Sequence, residues 1–220
     1  MNSTSGQSVD PRLLAALSAQ DASTRLQAAL AAGTHADPAL LGPLVDRCAV
    51  EADFFVRDML TWALTRLPAE LTVPRLRAEL ESDGGQARSQ ALHTLSKIGD
   101  PTVWPAITSA LLRDPDDDVA RSAWRAAVVL VPDAEREALA TELATQFARG
   151  DRDVRRSLSR ALTALGEVIA PVLDRAATSA DPEVRAHALA TEQLLRDPDA
   201  AFDLDIDAAK RVAALDGAPC

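Results

Sequence analysis

Tyrosine is absent from this 220-residue chain, aromatics make up 3% of it, glycine occurs nine times, and lysine stands only at Lys97 and Lys210. Sandwiches and barrels draw on aromatic and β-branched residues in strands and on glycine in turns, so these shortages point away from them. The two cysteines, Cys48 inside a helical pattern and Cys220 at the end, form neither a disulfide framework nor a metal-ligand spacing. A reducing compartment follows, with Cys220 a free thiol. The opening MNSTSGQSVDP has no basic stretch followed by an apolar one, and no run of about 18 apolar residues occurs anywhere, so a soluble cytoplasmic protein is expected.

Catalytic signatures are missing as well. HExxH, CxxC, GxGxxG, GxSxG and P-loop patterns do not occur, and His35, His93 and His187 are scattered. No catalytic residue, metal site or cofactor is therefore expected. The net charge of −10 and pI near 4.8 argue against general binding to nucleic acid or to an anionic membrane, since either needs an attractive field first.

What the chain does have is alanine, leucine, arginine and acids arranged in a repeat. Arginine serves as the reference in "DASTRLQAALAA", "DFFVRDMLTWAL", "GQARSQALHTL", "DVARSAWRAAV", "DVRRSLSRAL" and "PEVRAHALATE". The reference residues Arg25, Arg57, Arg88, Arg121, Arg155 and Arg185 are spaced by 32, 31, 33, 34 and 30. Asp21, Asp53, Asp117, Asp151 and Asp181 stand four residues earlier, where the third copy has Gly84. An acid there can cap a starting helix, and an arginine one turn later can pair with it. Between the references, "GPLV", "VPRL", "WPAI" and "APVL" carry Pro43, Pro74, Pro105 and Pro171, each expected in the first turn of a second helix.

Each unit thus reads as two antiparallel helices, A and B. The expected A helices cover 10–19, 38–50, 70–81, 102–113, 134–148 and 168–178. The expected B helices cover 22–32, 53–66, 84–98, 117–130, 152–165 and 182–195. Residues 1–8 read as a disordered tail, 9–198 as the helical array, and 199–220 as a turn, a capping helix over 204–215 and a tail.

The "D-x-x-V-R-x-x-A-x-x-A-L" style of the B helices and the "x-P-x-L" of the A helices resemble the HEAT-repeat family over roughly residues 10–196. The likeness is to the short bacterial repeats called PBS-lyase-like, and to stand-alone actinobacterial arrays of that kind. It implies an all-α, right-handed α-solenoid of about six antiparallel helix pairs whose B helices line a concave groove. Such repeats serve unrelated proteins as scaffolds, so the family does not dictate an activity.

Positions three, six, seven and ten after each reference share one face of helix B, for example Leu60, Ala63, Leu64 and Leu67, or Leu158, Ala161, Leu162 and Leu165. These form the expected core, and Trp124 belongs with them. Positions one, five and eight lie opposite and, on the resemblance, line the groove. Trp62 and His93 occupy position five of neighbouring units, roughly 10 Å apart if their helices pack normally. Leu26 and Leu30 should flank them on one side, Ala126 and Val129 on the other. Trp62 is either an anchor for a partner or a filler packed sideways against a neighbouring B helix.

Arg156 and Arg160 share one face of the fifth B helix, with Arg125 nearby, and can hold a carboxylate or phosphate between them, or else pair with repeat acids and solvate the helix. The candidate partner-binding residues are therefore Asp58, Trp62, His93, Arg125, Arg156 and Arg160. They suit a non-enzymatic scaffold for a protein or peptide partner carrying an acidic group. Two rivals remain at this stage: a small-molecule sensor working beside a transcription regulator, and a HEAT-like DNA glycosylase, which the acidic composition opposes.

Overall fold

The computed structural model describes residues 10–197. The expected tail 1–8, the capping helix 204–215 and Cys220 lie outside the described residues. Within them the regular structure is helical, with no strand. The chain divides after Ala106 into two compact units.

The first unit contains α1 (Pro11–Leu17), α2 (Ala22–His35), α3 (Leu41–Cys48), α4 (Phe54–Thr65), α5 (Ala69–Glu79) and α6 (Gly85–Ile98). Each A helix packs on the B helix after it, and the B helices α2, α4 and α6 stack in order. In the second unit, α7 (Ser109–Leu112), α8 (Asp117–Leu130), α9 (Arg136–Ala144), α10 (Arg152–Ala164), α11 (Ala170–Ala177) and α12 (Pro182–Arg196) repeat the plan, with α8, α10 and α12 stacked.

The acids start these helices as their spacing requires. Asp53 accepts the N–H groups of Phe55 and Val56 at 2.9 and 3.0 Å, and Asp151 those of Asp153 and Val154 at 2.9 and 3.0 Å. In α6, where Gly84 replaces the acid, the cap has no side-chain bond. In α8 the cap is Asp116, and Asp117 is the first helical residue.

Four of the six reference arginines bond the turn that precedes their helix. Arg57 donates from Nη1 to the carbonyls of Glu51 and Ala52 at 2.9 and 2.7 Å. Arg25, Arg88 and Arg185 make the same pair of bonds to the carbonyls five and six residues before them. A guanidinium has several donors and no acceptor, so it satisfies carbonyls that the turn between A and B leaves open. In these four units the arginine holds the turn, whereas Arg121 bonds Ser157 at 3.0 Å and pairs with Asp118 at 3.6 Å.

The core stripe lies where the period places it. Leu60, Ala63, Leu64, Leu158 and Leu162 are wholly enclosed, and each leucine contributes about 2 kcal/mol on burial. Trp124 is enclosed with them, and its Nε1 donates to the Leu112 carbonyl at 2.8 Å.

Two prolines depart from expectation. Pro74 sits in the second turn of α5, inside the helix rather than at its start. The expected continuous helix 102–113 is a 3-10 turn, Pro101–Ala106, followed by the short α7 capped by Thr108. Pro105 lacks the N–H that would close an α-helical bond to Pro101, so the α-helix starts beyond it.

Candidate functional site

In the first unit the exposed face of α4 follows directly from its start. With Asp53 as cap, Phe54 and Phe55 fall in the first turn. They are 64% and 70% exposed, with ring centroids 5.6 Å apart in an edge-to-face contact. Seven residues after Phe55 the helix has turned almost twice, so Trp62 returns to the same face, with Asp58 and Met59 between them. Trp62 is 38% exposed, Asp58 is exposed and Met59 half-buried.

The indole of Trp62 leans on α2 at Gly33, where a Cβ would stand 2.3 Å from Cζ3 and 2.6 Å from Cε3. Both sequence readings of Trp62 therefore apply: one face packs sideways on α2, and the rest meets solvent. Leu30, one turn before Gly33, is exposed as well. His93 occupies the matching position of α6, half-buried, in a helix that packs on α4.

In the second unit, Arg160 of α10 is exposed, Arg156 half-buried, and Arg125 of α8 exposed. Arg125 donates from Nη2 to Ser122 Oγ at 3.1 Å. Although exposed as a residue, it has a crowded guanidinium: desolvation and then the charge of Arg121 push its pKa below the usual arginine value. Arg155 is taken by structure, as its place in the repeat implies, bonding Glu183 at 2.7 Å and the carbonyls of Ala148 and Gly150.

The expected ladder of groove residues is only partly open. Gly33, Ser89, Ser122, Ala126, Ala186 and Ala190 are buried. Small side chains at these positions let neighbouring B helices approach closely enough to cover them. Ala126 is therefore enclosed, whereas Val129 is 58% exposed.

Three groupings escaped the sequence reading. Glu51 is fully buried and accepts from Arg25 at 2.7 and 2.7 Å, from Arg47 Nε at 2.9 Å and from the Asp53 N–H at 2.8 Å. Burial pushes its carboxyl up, but Arg25, the Asp53 amide and Arg47 outweigh that and hold it at about 2. Its backbone carbonyl also takes Arg57 and Gln86, so this one residue ties together three helix pairs.

The second grouping is Ser159, His187 and Thr191, buried between α10 and α12. A serine 3.1 Å from a histidine resembles a nucleophile with its base, but the bonding excludes that role. His187 Nδ1 accepts the Ala148 N–H at 3.1 Å, so the proton sits on Nε2, which faces the Arg155 carbonyl at 3.0 Å. A protonated Nε2 cannot deprotonate Ser159. Burial lowers the pKa of His187 to about 4.

The third is the Phe54–Phe55 pair itself, with the 66%-exposed Val50 in the preceding turn. Phe54 and Phe55 stand six and five residues before Leu60, about 120° and 140° from it around the helix, so neither ring falls on the core stripe. That signal was available in "DFFVRD".

Among the described residues no helix is long and apolar enough to cross a membrane, and no group of three or more His, Cys, Asp or Glu side chains is placed to hold a metal ion.

Residues 56–128, from α4 to α8, match the family model described as HEAT repeats. In fold, the chain is similar to a chain of the complex of CpcE and CpcF of phycocyanin lyase from Nostoc sp. PCC7120. The TM-score is 0.48 at 20% identity, over 98% of this chain and 91% of that one. It is also similar to human deoxyhypusine hydroxylase in complex with glycerol, with a TM-score of 0.45 at 17% identity over 92% of this chain and 93% of that one. No curated protein matches it in sequence.

Proposed function

We propose that this chain is a non-enzymatic scaffold, working in the cytoplasm, that docks a protein or peptide partner on the exposed faces of its B helices. In the first unit an apolar side chain of the partner seats against Trp62, with Phe55, Met59 and Leu30 around it and Asp58 and His93 as polar neighbours. In the second unit an acidic group of a partner meets Arg125, Arg156 and Arg160.

The observation that carries this reading is the seat of Trp62. Its ring is held on one side by the bare backbone at Gly33 and remains 38% exposed on the other, in line with a 70%-exposed Phe55. A ring already fixed loses little freedom on binding, and aromatic anchors of this kind dominate interface energies.

The test is affinity capture from the native cell followed by mass spectrometry, run in parallel with Trp62→Ala and Arg160→Glu. The proposal expects defined partners to be lost from one or both variants. An unchanged set of partners in both would overturn it.

A further inference from the structure

Three exposed side chains of α4, Asp58, Trp62 and Arg66, stand four residues apart. Arg66 is the C-cap residue and keeps helical backbone angles, φ −85° and ψ −17°. Each step of four residues turns about 40° and climbs about 6 Å, so the three share one face with Trp62 midway. Phe55, seven residues before Trp62, lies on that face as well. Along it the order is acid, aromatic, base.

The repeat does not require this order. No other B helix has an acid at the position of Asp58; α6 has Ser89, His93 and Lys97 at the three positions, and α10 has Arg156, Arg160 and Ala164. An acid early and a base late suit the dipole of any helix, yet the other B helices form without that pair. Neither charge is used within the unit. The side chains of Asp58 and Arg66 make no hydrogen bond or ion pair among the described residues.

A charge order that reverses across a central residue is complementary to itself. When two such helices cross antiparallel on a twofold axis at that residue, each acid faces the other's base. The centre here is a ring already held against Gly33 and 38% exposed, with the 40%-exposed Leu30 of α2 one turn before Gly33. We infer that this face of α4 docks a second copy of the chain, the two α4 helices crossing antiparallel at Trp62 with each Asp58 against Arg66 of the other copy. The net charge of −10 opposes approach at long range, but salt near 0.15 M screens charges more than about 8 Å apart and leaves pairs in contact. This rests on the reading of Trp62 as a docking anchor and names its partner.

The test is sedimentation equilibrium of the full chain, native and with Asp58→Arg, Arg66→Asp and both together. The native chain should form a dimer. Each single reversal sets like charges opposite one another twice and should weaken the dimer at least about tenfold, and the double reversal should restore it. An equimolar mixture of the two single variants should also dimerise, because the paired arginines of one chain then meet the paired aspartates of the other. A folding defect would not give that result. A native chain that stays monomeric up to about 1 mM would overturn the second copy as occupant. Partners still lost from Trp62→Ala would in that case leave Trp62 as an anchor for a different protein, and an unchanged set would remove both readings. A dimer unmoved by either single reversal, or single variants that fail to dimerise when mixed, would overturn the antiparallel pairing.

Discussion

The indole of Trp62 lies where a side chain at position 33 would be, so glycine at 33 and tryptophan at 62 fit only as a pair. Gly33→Ala would place a methyl 2.3 Å from the ring and 2.9 Å from the Ala63 Cα, and the second of these is backbone. Alanine gains up to about 1 kcal/mol as a helix former, but overpacking costs about 1–3 kcal/mol, so overpacking prevails. Urea denaturation should show a net loss of about 1–2 kcal/mol. In a Trp62→Ala background the same change should cost clearly less, and a double-mutant cycle measures the difference.

Glu51 makes the first unit sensitive to acid. Its carboxyl titrates at about 2 in the fold against an ordinary value of 4.5, so the unfolded chain binds the proton more readily. The resulting stabilisation, on the order of 3 kcal/mol, is fully present above about pH 5 and is lost as pH falls towards 2. Glu51→Gln should flatten that part of the stability-versus-pH curve. Glu51→Ala at neutral pH leaves Arg25 enclosed without its carboxylate, and should cost about 3–5 kcal/mol in denaturant.

Glu51 also marks the limit of what could be read from the sequence. Helix positions, the capping acids and the buried stripe follow from local spacing, which a sequence displays directly. The partner of Arg25 lies 26 residues away, and the carbonyls that the reference arginines satisfy belong to turns whose shape is set by packing. For the candidate site, the exposure of Asp58, Trp62 and Arg160 was legible from the helical period. The burial of Ser89, Ser122 and Ala126 was not, because it depends on how closely neighbouring B helices approach.

His187 gives the second unit its own pH dependence. Its folded pKa of about 4 lies below the usual 6.5, so the histidine is neutral in the fold and readily protonated once unfolded. That contribution is complete above about pH 6.5 and is lost as pH falls through 4, on the order of 3 kcal/mol in all. Thermal melts between pH 7 and pH 4 should therefore fall in the native chain. His187→Gln should lower stability at pH 7 and shrink the pH-dependent part.

Exposed and enclosed apolar residues of α4 should separate cleanly. Phe55→Ser alters a ring that is 70% exposed and should change stability by no more than about 0.5 kcal/mol. Leu60→Ala, at a wholly enclosed position, should cost about 2–5 kcal/mol. On the proposed function, Phe55→Ser should still reduce partner capture. A Phe55 variant destabilised as much as the Leu60 variant would show that the ring belongs to the core.

Trp124 anchors α8 to the end of α7 by a buried hydrogen bond. Its Nε1 meets the Leu112 carbonyl at 2.8 Å, and Arg149 lies over its ring at 5.8 Å from the centroid. Trp124→Phe keeps an aromatic ring but deletes the donor and leaves that carbonyl in a closed site, a loss of about 1–3 kcal/mol, to which the smaller ring adds a cavity. The expected total is about 2–4 kcal/mol in urea denaturation. Arg149→Ala removes the cation over the ring, the pair with Asp117 and the bonds to Gln146 and the Asp114 carbonyl, but these groups are only part-buried and the indole bond remains, so it should cost less. If Trp124→Phe cost no more than Arg149→Ala, the hydrogen bond to Leu112 would not be what fixes the tryptophan.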